Sequence, residues 1–217
     1  MKLLTKIFAI VALCSSTMLF SPAYAEEAPD KLIARVSQDI IDLVKSDEEV
    51  KSGNRQRIQE IVESKILPHV DFELTTALTM GRHWRDASPE QKKRLSEEFR
   101  DLLMYTYSGA MSQIKDPTLR FRPLRMAPDE TDVEVRSQVM GRQGGNPVDV
   151  SYRLRKSPEG WKVYDVNVLG IWLIGTYKQS FSSEVERSGI DGLIKTLEAK
   201  NEKLAANPVS NPKLPTP

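Results

Sequence analysis

Val148-Asp149-Val150-Ser151-Tyr152-Arg153-Leu154-Arg155-Lys156-Ser157-Pro158-Glu159-Gly160-Trp161-Lys162-Val163-Tyr164-Asp165-Val166-Asn167-Val168-Leu169 decides the fold. Val148, Val150, Tyr152 and Leu154 alternate with Asp149, Ser151, Arg153 and Arg155. A period of two puts the apolar set on one face of a half-buried strand. Ser157-Pro158-Glu159-Gly160 is turn chemistry, so the next run, 161–169, reads as the partner strand of a hairpin. There Tyr164, Val166 and Val168 share one face and Trp161 and Val163 the other, as expected of a strand covered on both sides.

Upstream, the same alternation recurs. Val133, Val135 and Val139 alternate with Glu134 and Arg136, and Leu119 and Phe121 alternate with Arg120 and Arg122. Breakers separate them at 127–130 and 141–147. The middle of the chain therefore predicts an antiparallel sheet of about four strands.

Both flanks read as helical. Leu32, Val36, Ile40, Leu43 and Val44 recur at helical spacing, as do Ile58, Ile61, Val62 and Ile66, with Ser52-Gly53-Asn54 between them. Asp71 caps a short helix that stops at Gly81. Ser88-Pro89-Glu90-Gln91 combines an N-cap serine, a proline at the first helical position and a capping-box glutamine. A long helix is expected from Pro89 to about Ile114, with Leu95, Phe99, Leu103, Tyr107 and Met111 along one face. After the sheet, Ile174, Tyr177, Phe181 and Val185 keep helical spacing up to Ser188-Gly189, and Asp191 starts a last helix through Leu193, Ile194 and Leu197. The whole is α+β, with one domain over 26–205 and a proline-rich tail at 206–217 expected to be disordered.

The N-terminus has lysines at 2 and 6, a short apolar run over 7–20, and Ala23-Tyr24-Ala25. This predicts a secretory signal, residues 1–25, cleaved after Ala25, and a periplasmic destination. Cys14 follows Leu13, not the small residue of a lipoprotein signal, and is the only cysteine; it leaves with the signal. The chain has 31 Lys and Arg against 30 Asp and Glu, so losing Lys2 and Lys6 leaves a net charge near zero. That balance argues against a nucleic-acid partner.

Catalytic patterns are scarce. There is no G-x-S-x-G elbow, no phosphate-binding glycine loop and no H-E-x-x-H. His69 stands two residues before Asp71, compatible with a base, a metal ligand or an ordinary helix-end histidine. Asp165 and Asn167 interrupt an apolar strand; solvent-facing groups, a polar pocket mouth and a catalytic base all fit. Arg120, Arg122, Arg125, Arg136, Arg153 and Arg155 fit either a solvated sheet face or a docking surface for an acidic partner or lipid phosphate.

Ordered segments over 70–201 resemble the MlaC family of periplasmic phospholipid carriers, also called the toluene-tolerance auxiliary family. Val70-Asp71-Phe72 followed by Gly81-Arg82-His83-Trp84-Arg85-Asp86-Ala87-Ser88-Pro89-Glu90-Gln91 looks like the family's "VDF … LG-x-x-W-R-x-A-S-P-E-Q". Phe99, Leu102, Leu103 and Tyr107 match its "F … LL … Y" helix, and Val163-Tyr164-Asp165-Val166 its "V-Y-D-V" strand. Gly170, Tyr177-Lys178 and Phe181 fit "E-G-x-S … Y-R … F", and Gly189-Ile190-Asp191-Gly192-Leu193 matches "G-I-D-G-L". Leu169, Trp172 and Lys178 depart from the usual Glu, Ser and Arg.

The resemblance implies an NTF2-like sheet wrapped by helices around a deep apolar pocket. It implies a monomer that takes up the acyl chains of a phospholipid with the headgroup near solvent. It further implies shuttling between an outer-membrane lipoprotein–porin complex and an inner-membrane MCE-ring protein of an ABC transporter. No cofactor is expected, the phospholipid being cargo, and no catalytic or metal-binding residue. An NTF2-like isomerase or hydrolase using Asp165 or His69 is the alternative, and a carrier of another apolar ligand a third reading. The expected pocket lies between the long helix, the sheet and the helix after Gly170. Its candidate lining is Phe72, Leu78, Phe99, Leu103, Tyr107, Tyr152, Val166, Val168, Ile171, Ile174, Tyr177 and Phe181. The run 169–175, with Gly170 and Gly175 near its ends, reads either as a rigid strand-to-helix turn or as a mobile wall of that pocket.

Overall fold

The computed structural model describes residues 27–107, 117–140 and 147–206. The expected signal over 1–25, Met111 and Ile114 of the long helix, the connection at 141–146 and the tail beyond 206 lie outside the described residues.

Five strands form one antiparallel sheet in chain order: β1 Thr118–Phe121, β2 Asp132–Met140, β3 Val148–Ser157, β4 Gly160–Val168 and β5 Ile171–Trp172. Pairing of Leu119 with Val139, Val135 with Tyr152 and Tyr152 with Val166 aligns the apolar sets on one inner face. On β4 the register slips: Arg153 pairs with Asp165, but Leu154 pairs with Val163. Tyr164 is the extra residue of a β-bulge. One inserted residue reverses the phase of the two-residue period. Trp161 and Val163 therefore share the inner face with Val166 and Val168, whereas simple alternation places them on opposite faces. Tyr164 turns outward, where its hydroxyl donates to Asp132 at 2.8 Å.

The β4–β5 hairpin has a two-residue turn, Leu169 and Gly170, with φ of 53° and 91°. Two positive φ angles match the type I′ turn whose twist suits a hairpin, and Asn-Gly is its preferred pair. Glycine fits; leucine there is strained, and Leu169 is 53% exposed. Leu169→Asn is expected to stabilise the protein by about 1 kcal/mol, raising the melting midpoint by roughly 2–4 °C. A lower midpoint would show that Leu169 makes a compensating contact.

Among the described residues, six helices surround the sheet: α1 Pro29–Ser46, α2 Glu48–Lys51, α3 Arg55–Ile61, α4 Phe72–Met80, α5 Pro89–Tyr107 and α6 Leu173–Ala206. The ends follow the expected chemistry. Asp71 accepts the Leu74 N–H at 2.9 Å, and the Ser88–Gln91 capping box closes with bonds of 3.2 and 3.0 Å. α6 breaks at Gly189, φ 74°, into the two helices read from the sequence. Between α3 and α4 a π-turn, Val62–Ile66, and a 3-10 turn, Leu67–His69, bring Val70 beside Val163 in a single parallel bridge.

The apolar interior is divided. α4, α5 and α6 bury Met80, Leu95, Phe99, Leu102, Leu103, Phe181 and Leu193 against one another. α1 covers the inner sheet face, burying Leu32 and Ile33 against Val133, Val135, Leu154, Trp161 and Val163. A third cluster joins Val50, Ile58, Ile61 and Val62 to the far end of α1.

Candidate functional site

α1 presents Ile33, Val36, Ile40, Ile41 and Val44 along one stripe, as a 3.6-residue period dictates. That stripe does not close fully on the sheet. Between them lies a cavity of about 300 Å³, walled also by Ile66 and Val70 and by Leu119, Val139, Tyr152, Val163 and Val166 of the inner face.

Polar side chains in this wall are few: Ser37, His69 and the hydroxyl of Tyr152. The Tyr152 hydroxyl meets Ser37 on α1 and Ser137 on β2, and burial pushes its ionisation above the ordinary phenol value. Burial lowers the His69 imidazole, and the positive charges of Arg35 and Lys162 lower it further. Both groups are thus held neutral near pH 7, leaving an uncharged lining suited to hydrocarbon.

Asp165 is on the other side of the sheet and is 3% exposed. Its Oδ1 accepts the backbone N–H groups of Val166 and Ile174 at 3.0 and 3.1 Å, and Arg153 is 3.6 Å from Oδ2. Arg153 also stacks over Trp172, 3.7 Å from the ring centroid. Burial raises the Asp165 carboxyl, opposed chiefly by those N–H bonds and Arg153. Its role in this geometry is to anchor the start of α6. Asp165 and His69 face opposite sides of the sheet and share no site. On the strands Arg136 pairs with Glu134 and Arg155 with Asp132, and just past β1 Arg122 pairs with Asp149.

Of the twelve candidate lining residues, Tyr152 and Val166 stand in the cavity wall. Phe72, Phe99, Leu103, Tyr107, Tyr177 and Phe181 lie together in the core of α4, α5 and α6. Val168 and Ile171 pair with each other in the β4–β5 hairpin, Ile174 is held at the start of α6 by Asp165, and Leu78 is exposed. The helix that covers the inner face is α1, not α5. The α1 stripe was readable from Leu32, Val36, Ile40 and Val44, but amphipathicity shows only that a helix is covered, not by what.

Residues 34–199 match the family described as MlaC protein. The chain belongs to the MlaC family. It is similar to the intermembrane phospholipid transport system binding protein MlaC of Haemophilus influenzae, 21% identical over 209 residues, covering 95% of this chain and 96% of that one. It is also similar to the toluene tolerance protein ttg2D of Pseudomonas putida, 25% identical over 175 residues and 80% of each chain. Its fold is similar to that of the phospholipid-binding protein from Ralstonia solanacearum, solved in complex with a phospholipid, with a TM-score of 0.77. That relative is 39% identical, and the match covers 82% of this chain and 99% of that one. Among the described residues of this MlaC family member, no helix is long and apolar enough to cross a membrane.

Proposed function

We propose that the chain is a soluble periplasmic carrier that binds a phospholipid by its acyl chains in the cavity between α1 and the sheet. The observation that carries this reading is the uncharged apolar wall of that cavity. A diacyl lipid has roughly 30 methylenes, each worth about 0.8 kcal/mol on leaving water, so exposing them in transit costs on the order of 20 kcal/mol. A carrier must enclose both chains, while transfer from bilayer to cavity stays near balance because both are apolar. At about 300 Å³ the cavity stands at the small end of ligand pockets, which span roughly 300–1,000 Å³. Holding both acyl chains therefore requires the cavity to widen.

The carrier serves a transport route in place of a reaction. Family membership supports exchange between an outer-membrane lipoprotein–porin complex and an inner-membrane MCE-ring protein of an ABC transporter. The test is direct. Organic extraction of the mature protein, followed by mass spectrometry, is expected to yield one diacyl phospholipid per protein. A preparation that is lipid-free and takes none from phospholipid vesicles would overturn the reading.

A further inference from the structure

We propose that the phosphate of the bound lipid seats in a cleft formed by Arg35, His69 and Lys162, at one end of the apolar cavity. This rests on the carrier reading and adds a recognition site for the headgroup.

The cavity and the cleft lie back to back across three elements. On α1, Leu32 lines the cleft and Ile33 the cavity; after α3, Pro68 lines the cleft and Val70 the cavity; on β4, Lys162 lines the cleft and Val163 the cavity. His69 lines both. Between Arg35 and Val36 on α1, and between Lys162 and Val163 on β4, the lining thus changes from cationic to hydrocarbon within one residue. A phospholipid makes the same change where its glycerol meets its phosphate.

The charges suit an anion. The cleft holds Arg35, Lys156 and Lys162 against Glu27 and Glu159, besides the imidazole. Arg35 donates through Nε and Nη2 to Glu27 at 2.9 and 2.8 Å, and its side chain remains 47% exposed. Lys162 Nζ donates to the Pro68 carbonyl at 2.6 Å, which uses one of its three hydrogens and fixes the ammonium beside the 67–69 turn. The groups acting on His69 are Arg35 and Asp39 on α1, Glu27 just before it and Lys162 on β4; the two cations outweigh the two acids. The imidazole therefore reports a positive field that a phosphate would cancel.

The chain has two histidines, so His83→Gln leaves His69 as a single reporter. Its proton NMR titration is compared in delipidated protein, in protein loaded from dioleoyl phosphatidylglycerol vesicles, in protein loaded with dioleoylglycerol, and in delipidated protein with inorganic phosphate. The His69 midpoint is expected to rise by about one pH unit with the phospholipid relative to the diacylglycerol, which has the same chains and no phosphate. In the Arg35→Gln/Lys162→Gln variant that rise should vanish, and phosphatidylglycerol should leave about tenfold faster while dioleoylglycerol leaves unchanged. Equal midpoints for the two loaded forms would overturn the seat and leave the carrier reading standing. A response to inorganic phosphate without one to the phospholipid would assign the cleft to a free anion and likewise overturn it. Failure to take up either lipid would sink both.

Discussion

Val166→Arg is expected to yield a folded protein that carries no phospholipid, whereas Leu103→Arg is expected not to fold. Both substitutions place a guanidinium among apolar residues, but the surroundings differ. Val166 sits in the row Val135–Tyr152–Val166 and faces the cavity, which gives a longer side chain room. An extended arginine can carry its charge along the cavity toward water, as long cationic side chains do. Once acyl chains occupy that space the charge has no such escape. Burying it unpaired costs at least ~4 kcal/mol, about a thousandfold in affinity. Leu103, by contrast, is packed among Phe99, Leu102 and Phe181 and is not in the wall of the α1–sheet cavity. An unpaired buried charge there takes roughly 3–5 kcal/mol from a domain whose total stability is on the order of 5–15 kcal/mol, and overpacking adds to it. Circular dichroism and extracted lipid, measured on both variants, separate the cases. Folded Val166→Arg with its full complement of lipid would place the acyl chains elsewhere. Folded, lipid-free Leu103→Arg would move the pocket to the α5 side of the molecule.

The division between these two residues is what sequence reading did not reveal. Leu103 and Val166 are both large apolar residues in periodic segments, and periodicity reports burial without naming the neighbour. Strand and helix positions were legible because their signals are local: alternation in 148–155, the capping box at Ser88 and Gln91, and the break at Gly189. The bulge at Tyr164 was not, because alternation on either side of it looks regular until the partner strand fixes the register. The same holds for Asp165. A lone carboxylate in an apolar strand suggests chemistry, yet it accepts the N–H of Ile174, nine residues on, from an α6 start that only the fifth strand puts within reach. The cavity itself needed long-range information. It forms because α1, more than a hundred residues away in sequence, lies over β3 and β4 without filling the space between.

Phe99→Ala is expected to cause a large loss of stability among core truncations and to leave lipid binding per folded molecule unchanged. Phe99 is fully buried, and its ring meets Tyr177 and Phe181 edge-to-face, with centroids 5.1 and 4.9 Å away. The three rings join α5 to α6, and burial among them pushes the Tyr177 phenol far above its ordinary value. Truncating a buried phenylalanine costs about 3–5 kcal/mol through lost transfer energy and the void left behind, and broken ring pairs belong to that loss. In a domain of this size the melting midpoint should fall by roughly 6–20 °C. The comparison must be made on delipidated protein, because a ligand bound to the native state masks such losses by mass action. Phe99 is not in the wall of the α1–sheet cavity, so the folded fraction should still take up phospholipid from vesicles at the wild-type level. Ile40→Ala supplies the contrast. Ile40 lines the cavity from a partly exposed position on α1, so its truncation should cost far less stability and weaken lipid retention more. If Phe99→Ala instead lost its lipid while keeping its melting midpoint, the aromatic cluster of α5 and α6 would be the acyl-chain site and the space under α1 an ordinary void.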